Sequence, residues 1–191
     1  MCFVMPTLIL ASNSPRRREL LTQLGYSFQV EPSSFEETQR GLSARDTALA
    51  FARGKAEEVF SRFPEAIVLG ADTVVALGEE LLGKPKSRED AVRMLRLLSG
   101  KTHTVFTGVC VLSKGYTEWA VVDTEVVFNA LPEEVIESYV ESGLPFDRAG
   151  AYGIQDGYPL VREIYGSYTN VVGLPTEKVG TMLEAARLKN A

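Results

Sequence analysis

A segment of twelve residues, AIVLGADTVVAL (66–77), limits the folds open to this chain more than any other. Its aliphatic and β-branched residues predict a long β-strand whose middle lies inside the protein. Two polar residues, Asp72 and Thr73, interrupt the apolar run. A buried carboxylate is costly unless it is paired, hydrogen-bonded or bound to a metal, so Asp72 is a candidate metal ligand or general base. An aspartate that only makes a turn at a strand end is the alternative, which is weakened because VVAL continues the strand.

Strand-like and helix-like segments alternate along the chain. Further strands are predicted at 7–11, 27–31, 103–113, 119–128, 160–166 and 168–174. Helices are predicted at 15–24, 43–63, 87–98, 132–143 and from Pro175 onwards. Helical crossovers produce parallel neighbours, and the KGY connection between two of the strands indicates an antiparallel hairpin. The prediction is therefore an α/β protein with a mixed central β-sheet flanked by helices.

Charge and cysteine content exclude several classes of function. The chain has 20 basic and 25 acidic residues and a net charge of −5, which argues against a general nucleic-acid binder. Cys2 and Cys110 belong to no CxxC or Cys/His cluster, so neither a disulfide scaffold nor a zinc site is predicted. The apolar segment 1–12 has no basic flank and is too short to span a bilayer, so we interpret it as the first core strand. We expect a cytoplasmic protein with no membrane or nucleic-acid partner.

The segment LASNSPRRREL places positive charge at a predicted helix N-terminus, where the helix macrodipole disfavours it. Ser14 is a suitable N-cap, and Pro15 is a favoured first helical residue. The next three residues are Arg16, Arg17 and Arg18, although the helix macrodipole is already positive at this end. A bound anion would reverse the penalty, because helix N-terminal N–H groups and arginine side chains both bind phosphate or carboxylate oxygens. A solvated surface patch is an equally open alternative, above all for Arg18.

Two further segments carry charges that suit a phosphate or metal site. GEELLGKP (78–85) has the glycine and lysine spacing of a P-loop, but Pro85 stands where Ser or Thr should bind Mg²⁺. We therefore reject a P-loop, although Lys84 can still reach a phosphate from a turn. Glu36 and Glu37 lie in a polar loop after the second predicted strand and are candidates to approach the buried aspartate.

The C-terminal part contains two segments rich in glycine and tyrosine, AGAYGIQ (149–155) and YGSYTNVVGLP (165–175). Small residues allow a backbone to approach a ligand closely, and the Gln155 amide can read donors and acceptors on a base edge. Two ordinary β-turns remain an open alternative. His103 is the only histidine and has no matching Ser or Cys partner, so a structural role is predicted for it and a His-dependent nucleophilic mechanism is disfavoured.

Taken together, these segments resemble the Maf family of nucleoside triphosphate pyrophosphatases. The resemblance runs in the family's order through LASNSPRRREL, ARGKA, LGADTVV, GKP, LSGKTHTVFTGV, AYGIQ and GSYTNVVGLP, and it covers nearly the whole chain. It implies one domain over residues 1–191, with two lobes and a cleft similar to those of the inosine triphosphate pyrophosphatases. It also implies metal-dependent hydrolysis of a nucleoside triphosphate to the monophosphate and pyrophosphate. A homodimer is expected from the resemblance alone.

The resemblance also assigns roles to individual residues. Asp72 falls on the catalytic aspartate, which is expected to accept a proton and to contact a Mg²⁺ or Mn²⁺ ion. Glu37 and Glu36 fall on the acidic pair near this metal. The phosphate-facing positions are Ser14, Arg16, Arg17, Lys55 and Lys84.

Three positions indicate the branch of the family. Arg16, Thr73 and Gln155 match members that act on dTTP and UTP, whereas the branch that resembles 7-methyl-GTP pyrophosphatases has Trp, Gln and Glu there. Modified pyrimidine nucleotides are an alternative substrate class, because a hydrophobic site cannot strongly reject an added methyl group. A regulatory role in septum formation and cell-division arrest, exerted through a binding surface, is an alternative of a different class.

Overall fold

The computed structural model describes residues 6–38 and 41–190. The strands are Leu8–Leu10 (β1), Gln29–Val30 (β2), Ile67–Leu77 (β3), Glu80–Leu82 (β4), Thr102–Ser113 (β5), Tyr116–Phe128 (β6) and Val161–Tyr165 (β7). The α-helices are Pro15–Gln23 (α1), Ala44–Arg62 (α2), Arg88–Leu98 (α3), Glu133–Glu141 (α4), Tyr168–Val172 (α5) and Thr176–Lys189 (α6). Cys2 and the start of the predicted N-terminal strand lie outside the described residues, whereas Cys110 is a buried free thiol.

Within the described residues, the strands form a mixed sheet with the order β2–β1–β3–β5–β6–β7. The strands β2, β1 and β3 run parallel, and the remaining neighbours pair antiparallel. β5 and β6 form the predicted hairpin, in which Ser113 pairs with Tyr116. The predicted α/β architecture with a mixed central sheet is therefore confirmed.

Serine side chains cap the N-termini of three helices at the positions that the sequence predicts. The hydroxyls of Ser14, Ser43 and Ser87 accept hydrogen bonds from backbone N–H groups in the first turns of α1, α2 and α3. Such caps satisfy N–H groups that have no partner inside the helix. The caps of α1 and α2 therefore help to fix two helices that border the cleft described below.

Helix α2 packs unusually close to the sheet because small residues meet on both surfaces. Ala48, Ala52 and Ala56 follow one another at intervals of four residues and are fully buried. A Cβ atom on Gly70 would lie 2.3 Å from the Ala52 carbonyl oxygen, and one on Gly108 would lie 2.2 Å from the Ala48 carbonyl oxygen. Only glycine leaves room for this approach. The contact holds α2 directly against the strand that carries the buried aspartate.

The prediction of a strand at 168–174 is wrong, because this segment forms the short helix α5. The Ser167 hydroxyl caps the helix by accepting from the Asn170 N–H, and Gly173 ends it with a φ of 125°. The β-branched Val171 and Val172 favour a strand locally, but the cap and the terminal glycine decide the outcome. Strand β4 was not predicted, and its residue Leu82 is fully buried.

Two apolar clusters lie on one face of the sheet, at opposite ends of β3 and β5. One contains Val75 and Val105 and is covered by α3 and α4, and the other contains Leu69 and Val109 and is covered by α1 and α6. The structure contains the cleft expected from the family resemblance, and its lining includes the middle of β3 and Val105 of β5. In the ranges that the structure describes, no helix is both long and apolar enough to cross a membrane.

Candidate active site

The cleft has a volume of about 1030 Å³ and collects residues that are far apart in the sequence. It is lined by the end of β1, the start of α1, the middle of β3 and the segments 81–86, 147–155 and 171–173. The predicted site residues that line it are Ser14, Arg16, Arg17, Glu37, Lys55, Asp72, Thr73, Lys84 and Gln155. The remaining predicted residue, Glu36, is exposed and does not line the cleft.

Asp72 and Lys55 form the charged centre of the cleft. The Lys55 ammonium lies 2.6 Å from Asp72 Oδ1 and 2.7 Å from Glu37 Oε1. Burial raises the pKa of the Asp72 carboxyl, while the positive charges of Lys55 and Arg17 act in the opposite direction. The cleft therefore contains a nearly buried carboxylate whose proton affinity is higher than usual, and that property suits a general base.

The loop that carries Glu37 is held against α2 by an aromatic contact. A Cβ atom on Gly54 would lie 2.3 Å from the Phe35 ring, so this ring rests directly on the helix backbone. The Phe35 ring also packs edge-on against Phe51, with centroids 6.1 Å apart. Because Gly54 and Lys55 are adjacent in α2, the same contact keeps Glu37 beside the Lys55 ammonium.

Arg17 is anchored by three acceptors from three different parts of the chain. Its Nε donates to the Gly173 carbonyl oxygen (2.8 Å), Nη1 to Ser12 Oγ (3.3 Å) and Nη2 to Thr73 Oγ1 (3.1 Å). A guanidinium has five N–H donors, so two of them remain for a ligand. Burial lowers the pKa of Arg17, with Asp72 opposing this change. Ser12 was not predicted, although the Ser-Asn-Ser run at the strand end marks a polar turn there.

The other two arginines of the α1 cluster have different environments. Arg16 donates from Nη1 to Asp147 Oδ2 at 3.0 Å and from Nη2 to the Asp147 carbonyl oxygen at 3.1 Å. This pair connects α1 to the segment between α4 and β7. Arg18 is exposed and does not line the cleft, as expected for a solvent-facing side chain.

Two lysines line the cleft from the segment between β4 and α3. Lys84 is exposed, and the preceding Gly83 accepts a backbone hydrogen bond from Gly150 at 3.0 Å. This bond ties the lysine-bearing turn to the segment that precedes the glutamine loop. Lys86 also lines the cleft and was not predicted as a site residue, because Lys84 alone was singled out from the GKP motif.

A buried ion pair shapes the loop that presents Gln155. Arg148 Nη2 donates to Asp156 Oδ1 at 2.6 Å, and the two side chains are 10% and 4% exposed. The Tyr139 hydroxyl donates to Asp156 Oδ2 at 2.6 Å and accepts from the Gly153 N–H at 2.9 Å. Arg148 lines the cleft, and sequence reasoning missed it because its partner Asp156 lies eight residues away in a segment with no regular periodicity.

His103 has the structural role that the sequence predicts. Its Nε2 lies 2.8 Å from the Tyr152 hydroxyl, and its ring packs edge-on against Phe128 at 4.9 Å. Burial lowers the pKa of His103 to about 4, so the ring is neutral at neutral pH. His103 does not line the cleft, whereas Tyr152 does.

The chain offers a partial ligand set for a divalent metal ion. The carboxylates of Asp72 and Glu37 converge on the same ammonium and so face one region of the cleft. In the described part of the chain, no group of three or more His, Cys, Asp or Glu side chains is arranged to hold a metal. Mg²⁺ is commonly held by one or two carboxylates together with substrate phosphates, so this donor set fits an ion that arrives with a phosphate ligand.

The sequence of this chain is similar to those of known proteins. Residues 7–186 match the family described as Maf-like protein. Three relatives are each named dTTP/UTP pyrophosphatase. The one from Thermococcus kodakarensis is 48% identical over 93% of this chain and 95% of its own length. The one from Anaeromyxobacter dehalogenans is 50% identical over 95% and 94%, and the one from Salmonella typhimurium is 51% identical over 90% and 88%.

Among solved structures, the Staphylococcus aureus Ham1 protein aligns with a TM-score of 0.45 and 17% identity, over 64% of this chain and 71% of that one. The match to the Maf-like protein family covers nearly all the described residues, and the relatives match over nearly their whole length. This chain belongs to the Maf family.

Proposed function

We propose that this protein hydrolyses dTTP and UTP to the nucleoside monophosphate and pyrophosphate. The observation that carries the proposal is the position of Asp72, a nearly buried carboxylate in contact with Lys55 in a cleft lined by further cations. The names of the relatives from Thermococcus, Anaeromyxobacter and Salmonella support the choice of substrates.

Cationic side chains on several sides of the cleft would bind the triphosphate. Arg17 keeps two N–H donors after its three contacts with the protein. Arg16 and Lys84 line the same cleft, and Ser14 lies at the N-terminus of α1, where backbone N–H groups favour anions. Fixed positive charge that is already in place when negative charge develops lowers the barrier to phosphoryl transfer.

Asp72 would act as the general base. It would take a proton from a water molecule while the water oxygen attacks the α-phosphorus. The bond between the α-phosphorus and the bridging oxygen would then break and release pyrophosphate. Lys55 would hold Asp72 in place through its 2.6 Å contact, and the raised pKa of Asp72 suits proton abstraction.

A divalent ion, Mg²⁺ or Mn²⁺, would be held by Asp72 and Glu37 together with substrate oxygens. When bound, such an ion would neutralise phosphate charge and polarise a phosphoryl oxygen. Lys55 contacts both carboxylates and so keeps them directed at the same part of the cleft. Glu36 is exposed, and among the described residues its side chain has no hydrogen bond or ion pair that would bring it to this position.

Selection of the base would involve Gln155, Thr73 and Arg16. Gln155 is exposed on the loop braced by Arg148 and Asp156, so its amide is available to a ligand. Arg16 is directed by its two contacts with Asp147. A site that reads a pyrimidine through an amide would also admit 5-methyl derivatives, so modified pyrimidine nucleotides belong to the same substrate class.

The test is pyrophosphate release from dTTP, UTP, CTP, GTP and 7-methyl-GTP in the presence of Mg²⁺ or Mn²⁺. We expect preferential cleavage of dTTP and UTP that is abolished by a chelator and by Asp72→Asn. A preference for 7-methyl-GTP would keep the chemistry but contradict the assignment of substrate. Absence of cleavage with every nucleotide would contradict the enzymatic function and favour a regulatory role.

A further inference from the structure

Arg17 belongs to a closed ring of hydrogen bonds whose far side is buried beneath the cleft. Its Nη2 donates to Thr73 Oγ1, and Thr73 Oγ1 lies 3.0 Å from Thr107 Oγ1. Thr107 Oγ1 donates to the Asn170 carbonyl oxygen at 3.0 Å. The Gly173 N–H donates to the same carbonyl, and the Gly173 carbonyl accepts from Arg17 Nε. The ring therefore starts and ends at the Arg17 guanidinium.

The direction of each hydroxyl in this ring is determined by its partners. A carbonyl oxygen only accepts, so the single hydroxyl proton of Thr107 points to Asn170. Thr107 can then only accept from Thr73, whose own proton is committed to that bond. The lone pairs of Thr73 are left to accept from Arg17. Thr107 thus determines that the Thr73 oxygen presents its lone pairs, and not its proton, to the guanidinium.

The buried side of the ring, at Thr107, lies between two apolar regions on one face of the sheet. Thr73 and Thr107 are directly opposed on β3 and β5. On the same face, Val75 and Val105 belong to one apolar cluster and Leu69 and Val109 to the other. Thr107 is completely buried and does not line the cleft, so it cannot contact a ligand there.

The acceptor side of the ring is itself held rigidly. Asn170 is fully buried, and its Nδ2 donates to the Val105 carbonyl oxygen at 3.1 Å and to Thr124 Oγ1 at 3.0 Å. These bonds attach α5 to β5 and β6. The α5 carbonyl that receives the Thr107 proton is therefore held in a fixed position relative to the sheet.

We propose that Thr107 is a positioning residue that orients the Arg17 guanidinium toward the substrate by fixing the Thr73 hydroxyl as an acceptor. This inference rests on the proposed function, in which Arg17 binds the triphosphate. Without the Thr107 hydroxyl, the Thr73 proton has no fixed acceptor, so the direction of the Thr73 lone pairs is no longer determined. The contact between Thr73 and Arg17 Nη2 then becomes weaker and less well oriented, and the guanidinium keeps only two fixed acceptors.

The test compares Thr107→Val and Thr107→Ser with the wild type, using pyrophosphate release from dTTP. We expect Thr107→Val to lower kcat/KM about five- to tenfold, which corresponds to one hydrogen bond, mainly through a higher KM. Thr107→Ser keeps the hydroxyl and should restore kcat/KM to within about twofold of the wild type. Thr104→Val is the matched control, because Thr104 lies on the same strand and makes no side-chain hydrogen bond within the described residues.

A double-mutant cycle with Arg17→Lys separates positioning from a loss of structure. Lysine has no planar fork and cannot hold the same three acceptors, so Thr107→Val should change kcat/KM less than about twofold in that background. An equal effect in both backgrounds, or an unchanged kcat/KM for Thr107→Val alone, would overturn the inference. If Thr107→Val fails to fold, Thr107→Ala replaces it in the cycle, since alanine cannot overfill the site.

The wild type in the same assay distinguishes the two levels of the argument. An inactive wild type would overturn the proposed function and this inference with it. An active wild type whose kcat/KM does not depend on the Thr107 hydroxyl would overturn this inference alone.

Discussion

The Lys55 ammonium lies 2.6 Å from the Asp72 carboxylate, and both side chains are less than one-sixth exposed. Each charge is therefore largely removed from water and compensated mainly by the other. Arg17 supplies a second positive charge that lowers the pKa of Asp72. This relationship makes Asp72 sensitive to the loss of Lys55 in a way that does not depend on the identity of the substrate.

We expect Lys55→Met to destabilise the fold by about 3 kcal/mol at neutral pH, because it leaves a buried carboxylate without its closest partner. Lys55 lowers the pKa of Asp72, so its loss raises that pKa further. The carboxyl then becomes protonated more readily in the folded state, and the deficit relative to the wild type shrinks as pH falls. Denaturant unfolding at several pH values measures this change.

The control for this variant is Arg53→Met, which removes a cation from the exposed side of the same helix. Its effect on the free energy of unfolding should stay below about 1 kcal/mol. A Lys55→Met deficit that stays constant from neutral to acidic pH would contradict the proposed coupling to Asp72.

We expect Gly54→Ala to raise the Mg²⁺ concentration that the enzyme needs, because it displaces Glu37. The new methyl group would meet the Phe35 ring, which must move and take the adjoining loop with it. The Mg²⁺ concentration that gives half-maximal activity should rise severalfold, because Glu37 would no longer be held beside Lys55. A titration of activity with Mg²⁺ measures this concentration.

Gly180→Ala in α6 is the matched control for Gly54→Ala. Apart from its chain neighbours and the backbone of its own helix, no atom of the described residues lies within 4 Å of the position that its Cβ would take, so the methyl group has open space. This change should stabilise the protein by about 0.5–1 kcal/mol through helix propensity and leave the Mg²⁺ dependence unchanged. An identical Mg²⁺ titration for both glycine variants would show that the Phe35 contact does not position Glu37.

We expect Tyr139→Phe to disturb base selection more than phosphate binding. The change removes the hydroxyl that joins Asp156 to the Gly153 N–H, and it leaves that partly buried N–H without its acceptor. The cost to the loop that carries Gln155 is about 1–3 kcal/mol. We therefore expect kcat/KM for dTTP to fall about tenfold, with little change in inhibition by pyrophosphate, which has no base.

Tyr158→Phe provides the comparison for this prediction. The Tyr158 hydroxyl makes a single long contact with the Ser138 carbonyl at 3.4 Å and does not touch the ion pair. Its removal should leave both kinetic constants unchanged. Equal losses of dTTP turnover and pyrophosphate binding in Tyr139→Phe would mean that the loop supports the whole cleft rather than the base.

Much of the fold could be predicted because local signals and long-range packing agree. The buried run of β3, the serine caps of α1, α2 and α3, and the β5–β6 hairpin all have clear signatures in the sequence. The helix α5 was mistaken for a strand because two valines favour extended structure, whereas its cap and terminal glycine act over a few residues only. In this short segment the local cap and the terminal glycine override the β-propensity of the valines.

The candidate site, like the fold, could be predicted from the sequence only in part. Asp72, Arg17 and Lys55 stand out because charge is unusual at their positions or matches a family motif, and the structure brings them together. Arg148 and Thr107 could not be singled out, because neither has its partner within the local pattern: Asp156 is eight residues from Arg148 in an irregular segment, and Asn170 is 63 residues from Thr107. Nothing in the local pattern around Thr107 distinguishes a buried hydroxyl that donates to α5 from an ordinary strand threonine.

We expect His103 to make the fold sensitive to acid. Its pKa falls from 6.5 to about 4 because the ring is buried, so between these values the unfolded chain binds a proton that the folded protein does not. The free energy of unfolding therefore decreases as pH falls from 6.5 towards 4, and the decrease due to His103 is about 3 kcal/mol. Above pH 6.5 His103 is neutral in both the folded and the unfolded state, and its contribution to the free energy of unfolding no longer changes with pH.

His103→Gln isolates this contribution, because glutamine can still hydrogen-bond to Tyr152 but does not titrate. Carboxylates that are paired in the fold also lose their stabilising effect in acid, so the difference between wild type and variant is the relevant quantity. The free energy of unfolding of the wild type should fall relative to that of His103→Gln as the pH is lowered from about 7 to about 4.5. A difference that stays constant over this range would show that the buried ring accepts a proton without penalty, which its apolar contacts with Phe128 and Tyr152 argue against.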